Sequence, residues 1–325
     1  MKIKVTLILL VICFVFSCFV PSFAQTEMPS TVAIAAGAKG SVWFSMCIDW
    51  VQKIMQIEGV WNTAIIEGGA VGNLKIVNEG KDSFIGFTHA PLYFEAVRGD
   101  LFDEPIENVL AITALGFSIQ QYIVREDSGI NGFEDLIDKN LLPGTKGGGA
   151  ELLLNRILNV YGFDYDKVRG SGGNVSFTSY GDMASLMGDR HADLALISGD
   201  APHASALEME AFFNIRLLEV PQNIIDQLIS KFPGYLTVTI PANTYSGQPN
   251  DVQTLAIPGI MVANANTHED IIYEIVKTLW ENSEELAKRH PYYVLLNKEN
   301  FLQGLTEDTL HPGALKYYKE VGWID

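Results

Sequence analysis

From Thr31 onward the chain alternates short β-prone runs with amphipathic helical stretches, and glycine-rich loops stand where one gives way to the other. Thr31 to Ala36 is apolar and β-prone, after which Trp43, Met46, Cys47, Trp50, Val51, Ile54 and Met55 recur at helical spacing. Thr63 to Ile66 reads as a strand, and Val71, Leu74 and Val77 mark one face of a helix. Phe84 to Phe87 reads as a strand before a helix that opens at Pro91, a residue favoured in the first turn. Such alternation predicts an α/β fold with parallel strands covered by helices.

The same logic gives a second unit. Val109 to Ala114 and Tyr122 to Val124 read as two strands leading into it. A helix at Glu151 to Tyr161, a strand at Val175 to Ser179, a helix at Met183 to Met187, a strand at Leu194 to Ile197 and a helix after Pro202 follow. The segment Tyr235 to Ile260, rich in Pro, Gly and β-branched residues, reads as strands and crossovers returning to the first unit. Thr267-His268-Glu269-Asp270 has the form of a capping box with Thr267 as N-cap, and Ile271, Ile272, Ile275, Leu279 and Leu286 give one long amphipathic face. The expectation is two lobes, 25–116 with 255–325 and 117–254, joined by a chain that crosses more than once.

Residues 1–24 have the form of a secretory leader: Lys2 and Lys4, the apolar run Val5 to Val20, then Ser22-Phe23-Ala24 with small residues at −3 and −1, which places the cut after Ala24. A lipid anchor on Cys18 is disfavoured, because Phe16 fits poorly before it. Cys13 and Cys18 leave with the leader, so Cys47 has no intrachain disulfide partner. The 325 residues carry 22 basic and 39 acidic side chains, a net −17 that excludes nucleic acid as a natural partner and obliges an anionic ligand to find a local positive site.

Enzyme signatures are missing. No G-x-S-x-G elbow, P-loop, H-E-x-x-H pair or Cys/His zinc array occurs, so no catalytic residue, metal or cofactor is assigned. Loops after parallel strands converge at the carboxyl edge of a sheet, and a loop that opens a helix offers free N–H groups and a positive dipole end to an anion. The candidate binding residues are therefore Gly37, Ala38, Lys39, Gly40, Ser41, Trp43 and Phe44 in the first loop and helix, and Gly68, Gly69 and Ala70 in the second. Thr88 and His89 end the third strand, Gly147, Gly148 and Gly149 open a later helix, and Ser198 and Asp200 follow the strand at Leu194 to Ile197. Each has a plainer alternative: Lys39 and Lys146 as solvated lysines, His89 as a cap for the helix at Pro91, Trp43 and Phe44 as core, Asp200 as an N-cap before Ala201 and Pro202.

These segments resemble a known family, the TAXI-type solute-binding proteins of TRAP (tripartite ATP-independent periplasmic) transporters. Gly37-Ala38-Lys39-Gly40-Ser41-Val42-Trp43-Phe44 is similar to its G-x-x-G-G-V-Y-Y, and Gly68-Gly69-Ala70-Val71-Gly72-Asn73-Leu74 to its G-G-S-x-x-N-L. Arg125-Glu126-Asp127-Ser128-Gly129-Ile130, Ile240-Pro241-Ala242-Asn243-Thr244-Tyr245-Ser246-Gly247-Gln248 and Leu310-His311-Pro312-Gly313-Ala314-Leu315-Lys316-Tyr317-Tyr318 resemble later segments in the same order. The resemblance implies a two-lobed, type II-like periplasmic binding protein with hinge crossovers. It would close over a small carboxylate, such as glutamate or 2-oxoglutarate, and dock on small and large sodium-driven membrane subunits, separate or fused. Departures fall where the solute would sit: Ala70, Ala90 and Ala150 stand for Ser or Thr, His89 for Gln, and Asp200 for Gly. Two rivals remain, an exported enzyme using Asp200 beside His89 and a receptor reporting to a membrane signalling partner.

Overall fold

The computed structural model describes residues 31–37, 39, 41–58, 62–80, 84–289 and 297–325. The expected leader 1–24, its cleavage point after Ala24, Cys18, and the loop residues Ala38 and Gly40 lie outside the described residues.

Lobe 1 opens with β1 (Thr31–Ala35), α1 (Val42–Ile54), β2 (Asn62–Ile66), α2 (Ala70–Glu79), β3 (Ile85–His89) and α3 (Ala90–Arg98). β1 lies between β2 and β3 and is parallel to both, the arrangement that strand–helix alternation dictates. β4 follows as one strand of 17 residues, Val109–Arg125, where the sequence suggests two. The polar stretch at its centre does not break it, because antiparallel partners take over from one another along its length. Residues Val109 to Ile119 pair with β10, and Ile119 to Val124 pair with β7.

Lobe 2 comprises β5 (Asn140–Leu142), α4 (Gly149–Val160), α5 (Tyr165–Gly170), β6 (Asn174–Val175), α6 (Tyr180–Gly188), β7 (Leu194–Gly199), α7 (Ala204–Phe212), β8 (Ile215–Leu217), α8 (Gln222–Lys231) and β9 (Leu236–Ile240). The strand expected to Ser179 stops at Val175; beyond it the chain bends to follow the glycine loop, with Thr178 N–H donating to Gly144 O at 3.1 Å. β10 (Val252–Asn264) returns to lobe 1, followed by α9 (Glu269–Glu281), α10 (Ser283–Ala287) and α11 (Pro312–Glu320). The N-cap of α9 is His268 rather than Thr267, its Nδ1 accepting from Asp270 N–H at 3.2 Å. The long amphipathic face is interrupted at Asn282, yet Leu286 beyond it stays fully buried in the same core.

All ten strands belong to one curled sheet ordered β2-β1-β3-β10-β4-β7-β5-β6, with β8 added to β4 and β9 to β10. One apolar core draws on residues 32–115 and 260–324, and two others draw on buried residues between 122 and 257. β4 and β10 alone among the strands feed both sets, so they are the structural bridges between lobes.

The loops that leave β1 and β2 and open α2 hang on Asn73. Its fully buried Nδ2 lies 3.0 Å from Ala35 O, 2.8 Å from Ala36 O and 2.7 Å from Phe87 O, joining the ends of β1 and β3 to α2. A Cβ at Gly68 would stand 2.1 Å from Asn73 Oδ1, so the close approach requires glycine there. Asn73→Ala removes three buried hydrogen bonds that join these elements and should cost about 3 kcal/mol, seen as a lowered urea midpoint with unchanged slope.

Candidate functional site

Six helices of eight or more residues begin around one cleft: α1, α2 and α3 from lobe 1, and α4, α6 and α7 from lobe 2. The cleft has a volume of ≈ 840 Å³. One wall is Gly37, Ser41, Trp43, Gly68, Gly69, Ala70 and His89; the facing wall is Thr145 to Gly149, Tyr180, Ser198 to Asp200 and His203. A more enclosed chamber of ≈ 160 Å³ adjoins it, shared by His89, Ser118, Thr145, Gly148, Gly149, Tyr180 and Ser198 and extended by Glu151 and Ile257.

Each wall follows from local sequence. Ser41 caps α1, its Oγ accepting from Phe44 N–H at 3.2 Å, which leaves the other first-turn N–H groups directed at the cleft. Gly69 and Gly148 begin α2 and α4 with no side-chain cap. His89 occupies the N-cap position of α3 without a side-chain capping bond, so the capping alternative does not hold. Its ring lies 4.8 Å from that of Trp43, and its buried Nδ1 has no hydrogen-bond partner among the described residues. A Cβ at Gly149 would come within 2.8 Å of that Nδ1, so glycine lets α4 of lobe 2 start against His89 of lobe 1. Burial lowers the His89 pKa from 6.5 to about 4, making the imidazole neutral near pH 7.

The lobe 2 loop after β7 is held from behind. Tyr245 Oη accepts from His203 N–H at 2.8 Å and donates to Gln121 Oε1, while Gln121 Nε2 donates to Asp200 O at 3.0 Å. Gln248, in the same motif as Tyr245, donates from Nε2 to Ile240 O, Pro241 O and Asn250 O at 3.1, 3.0 and 3.0 Å. Tyr245 and Gln248 are thus buried braces in a segment, 241–248, that is otherwise exposed or half-buried and lies outside the cleft lining. Tyr180 Oη accepts from Ser198 N–H at 3.1 Å and fixes the end of β7.

Gly37, Ser41, Trp43, Gly68, Gly69, Ala70, His89, Gly147, Gly148, Gly149, Ser198 and Asp200 are brought together in the cleft lining. Lys39 is not: its side chain is exposed outside the lining, and its main-chain N–H donates to Glu67 Oε1 at 2.9 Å. Phe44 packs against the lobe 1 core, and fully buried Thr88 donates its hydroxyl to Ala70 O at 2.9 Å, so both shape the wall from behind. Asp200 lines the cleft instead of capping α7, where His203 Nδ1 accepts from Ser205 N–H at 3.2 Å. Ser118, Thr145, Tyr180 and His203 join the lining without having been singled out from sequence. Tyr180 and His203 each stand where a helix of lobe 2 begins, the signal that could have found them; Ser118 sits mid-strand and carries no such mark. Among the described residues, no group of three or more His, Cys, Asp or Glu side chains is placed to hold a metal ion.

The fold is that of the two-lobed periplasmic binding proteins. XAC2383 from Xanthomonas citri bound to chloride ion matches with a TM-score of 0.54 at 10% identity, over 90% of this chain and 100% of that one. The same protein bound to ATP matches at 0.53 and 12% identity, over 90% and 100%. PhnD1 from Prochlorococcus marinus (MIT 9301) in complex with methylphosphonate matches at 0.50 and 11% identity, over 91% and 100%. At these identities the likeness is one of fold. The chain itself belongs to the NMT1-like family, whose model matches residues 34–322.

The buried histidine has a consequence for stability. The unfolded chain binds a proton at His89 near pH 6.5 and the folded chain only near 4, so stability is full above the first value and falls as pH drops toward the second. His311, also pushed down to about 4 by burial, acts in the same direction. Urea titrations across this window should show the loss, and His89→Gln should remove about 2–3 kcal/mol of it.

Proposed function

We propose that the protein is a periplasmic solute receptor that captures a small carboxylate between its lobes and delivers it to a membrane transporter. The observation that carries this is the meeting of three uncapped or singly capped helix N-termini of lobe 1 around buried, neutral His89, opposite a second wall from lobe 2. First-turn N–H groups and aligned peptide dipoles favour an anion there, and Trp43 supplies an apolar surface for its carbon skeleton. Lobes of 25–116 with 255–325 and of 117–254 would close on the solute by bending β4 and β10, the ligand shifting the population toward the closed form. Export through removal of residues 1–24 places the receptor where such solutes arrive.

The partner follows from the ordered motif resemblance, which supports a sodium-driven TRAP transporter with small and large membrane subunits. Uptake in proteoliposomes should require a sodium gradient and no ATP; uptake driven by ATP alone would assign an importer of another class.

The receptor assignment is tested on the mature protein purified without refolding. Mass spectrometry of material released by denaturation should identify a small acid recovered intact, and that acid at about 100 times its Kd should stabilise the fold by about 2.7 kcal/mol. A solute returned chemically changed would point to an enzyme instead. Trp43→Ala should weaken binding by about 2 kcal/mol, a fold-change near 30 in Kd by calorimetry, and should also lower the melting temperature of the unliganded protein, because the ring packs on Phe87 and the lobe 1 core.

A further inference from the structure

The two walls of the cleft differ in electrostatic character. On lobe 1, α1, α2 and α3 carry no acidic residue in their first turns, so their dipole ends are uncompensated. On lobe 2, α4 carries Glu151 in its first turn, only 7% exposed, whose Oε2 accepts at 3.0 Å from the N–H of Gly147 in the loop just before the helix. α6 carries Asp182, which accepts from the Thr178 and Ser179 hydroxyls at 3.2 and 2.9 Å. α7 has no acid in its first turn but is preceded by Asp200, which lines the cleft.

A single cation stands against these acids on the same wall: among the described residues Lys146 is the one lysine or arginine lining either chamber. It also borders a neighbouring hollow where Glu151, Asp164 and Asp166 outnumber Lys146 and Arg169. The other polar side chains of the lobe 2 wall are the hydroxyls of Thr145, Tyr180 and Ser198 and the imidazole of His203, whose Nδ1 accepts from Ser205 N–H and whose pKa burial lowers. A second independent mark lies on the lobe 1 side, where the buried Nδ1 of His89 faces the junction without a partner.

We infer that the cleft is polarised and selects a monocarboxylate: the carboxylate rests on the lobe 1 helix starts, and an uncharged hydrogen-bond donor, a hydroxyl or an amide, meets Glu151, Asp200 and the hydroxyls of lobe 2. This rests on the receptor assignment above and narrows it. A dicarboxylate would bring its second charge to a wall that is itself acidic, where desolvation is uncompensated and repulsion adds to it. Carboxylate and amide ends have nearly the same size, so shape does not confound the comparison.

Calorimetry with matched pairs tests it: succinamate against succinate, glutamine against glutamate, and 4-hydroxybutyrate as a third monocarboxylate. The amide or hydroxyl member should bind at least about tenfold more tightly than its diacid. Asp200→Asn, at an exposed position that should fold normally, should narrow the gap by strengthening the diacid, and Glu151→Gln should do so further. Diacids bound as tightly as amides by the unaltered protein would overturn the polarised cleft while leaving the receptor assignment intact. Binding of neither acid class, with a neutral or cationic solute recovered from the purified protein, would overturn both.

Discussion

The side-chain amide of Asn73 is the constraint on which the rest of the ligand-facing architecture depends. One fully buried NH₂ group ties the carboxyl ends of β1 and β3 together, so the loops leaving those strands start from fixed points. Because Asn73 lies in the first turn of α2, the same bonds also set where that helix begins. Gly68 is the chain's means of reaching α2 without colliding with the amide. A receptor wall made of backbone N–H groups works only if that backbone cannot drift, since misplacement of the donors forfeits the hydrogen bonds they are there to make.

A second constraint ties the two walls to each other. Arg156 of α4 meets Glu95 of α3 at 2.7 Å, with only 14% and 7% of their side chains exposed. Arg156 also donates to Tyr235 Oη at 2.6 Å and lies 4.0 Å over the Phe232 ring. Such a buried pair contributes little net stability over an apolar replacement, but breaking one half of it is costly, so it acts as a register mark between α3 and α4. Those are the helices that start at His89 and at Gly148, on opposite sides of the cleft. The wall-to-wall spacing is therefore set two turns away from where a solute would sit.

Much of this was legible in the chain. The strand–helix alternation of lobe 1 emerged with nearly the expected boundaries, because each element carries its own periodicity and each loop its own glycines. What escaped were features decided by partners distant in sequence. β4 continues through its polar centre because β10 and β7 supply hydrogen bonds there, and no local pattern announces that. α9 starts one residue late because His268 competes successfully with Thr267 for the cap. Around the cleft, the lining glycines and helix starts follow local motif, whereas Lys39, whose charge suits an anion, is exposed and lies outside the lining. Ser118 could be found only once β4 and β10 were known to form the bridge between lobes.

The charge of the whole protein makes the use of helix starts intelligible. With 22 basic and 39 acidic residues, its long-range field opposes an approaching anion, and a cluster of arginines could have offset that at the cleft. In the proposed receptor, N–H groups and dipoles take that place instead. These are already fixed by folding, need no counter-charge when the cleft is empty, and require no desolvation of a guanidinium when it fills. Their worth rises as water is expelled, because the same dipole acts through a lower effective dielectric. Under that proposal, a solute that bridges the two walls would gain most in the closed arrangement, and capture and closure would be coupled through solvent exclusion without any ion pair made or broken at the site.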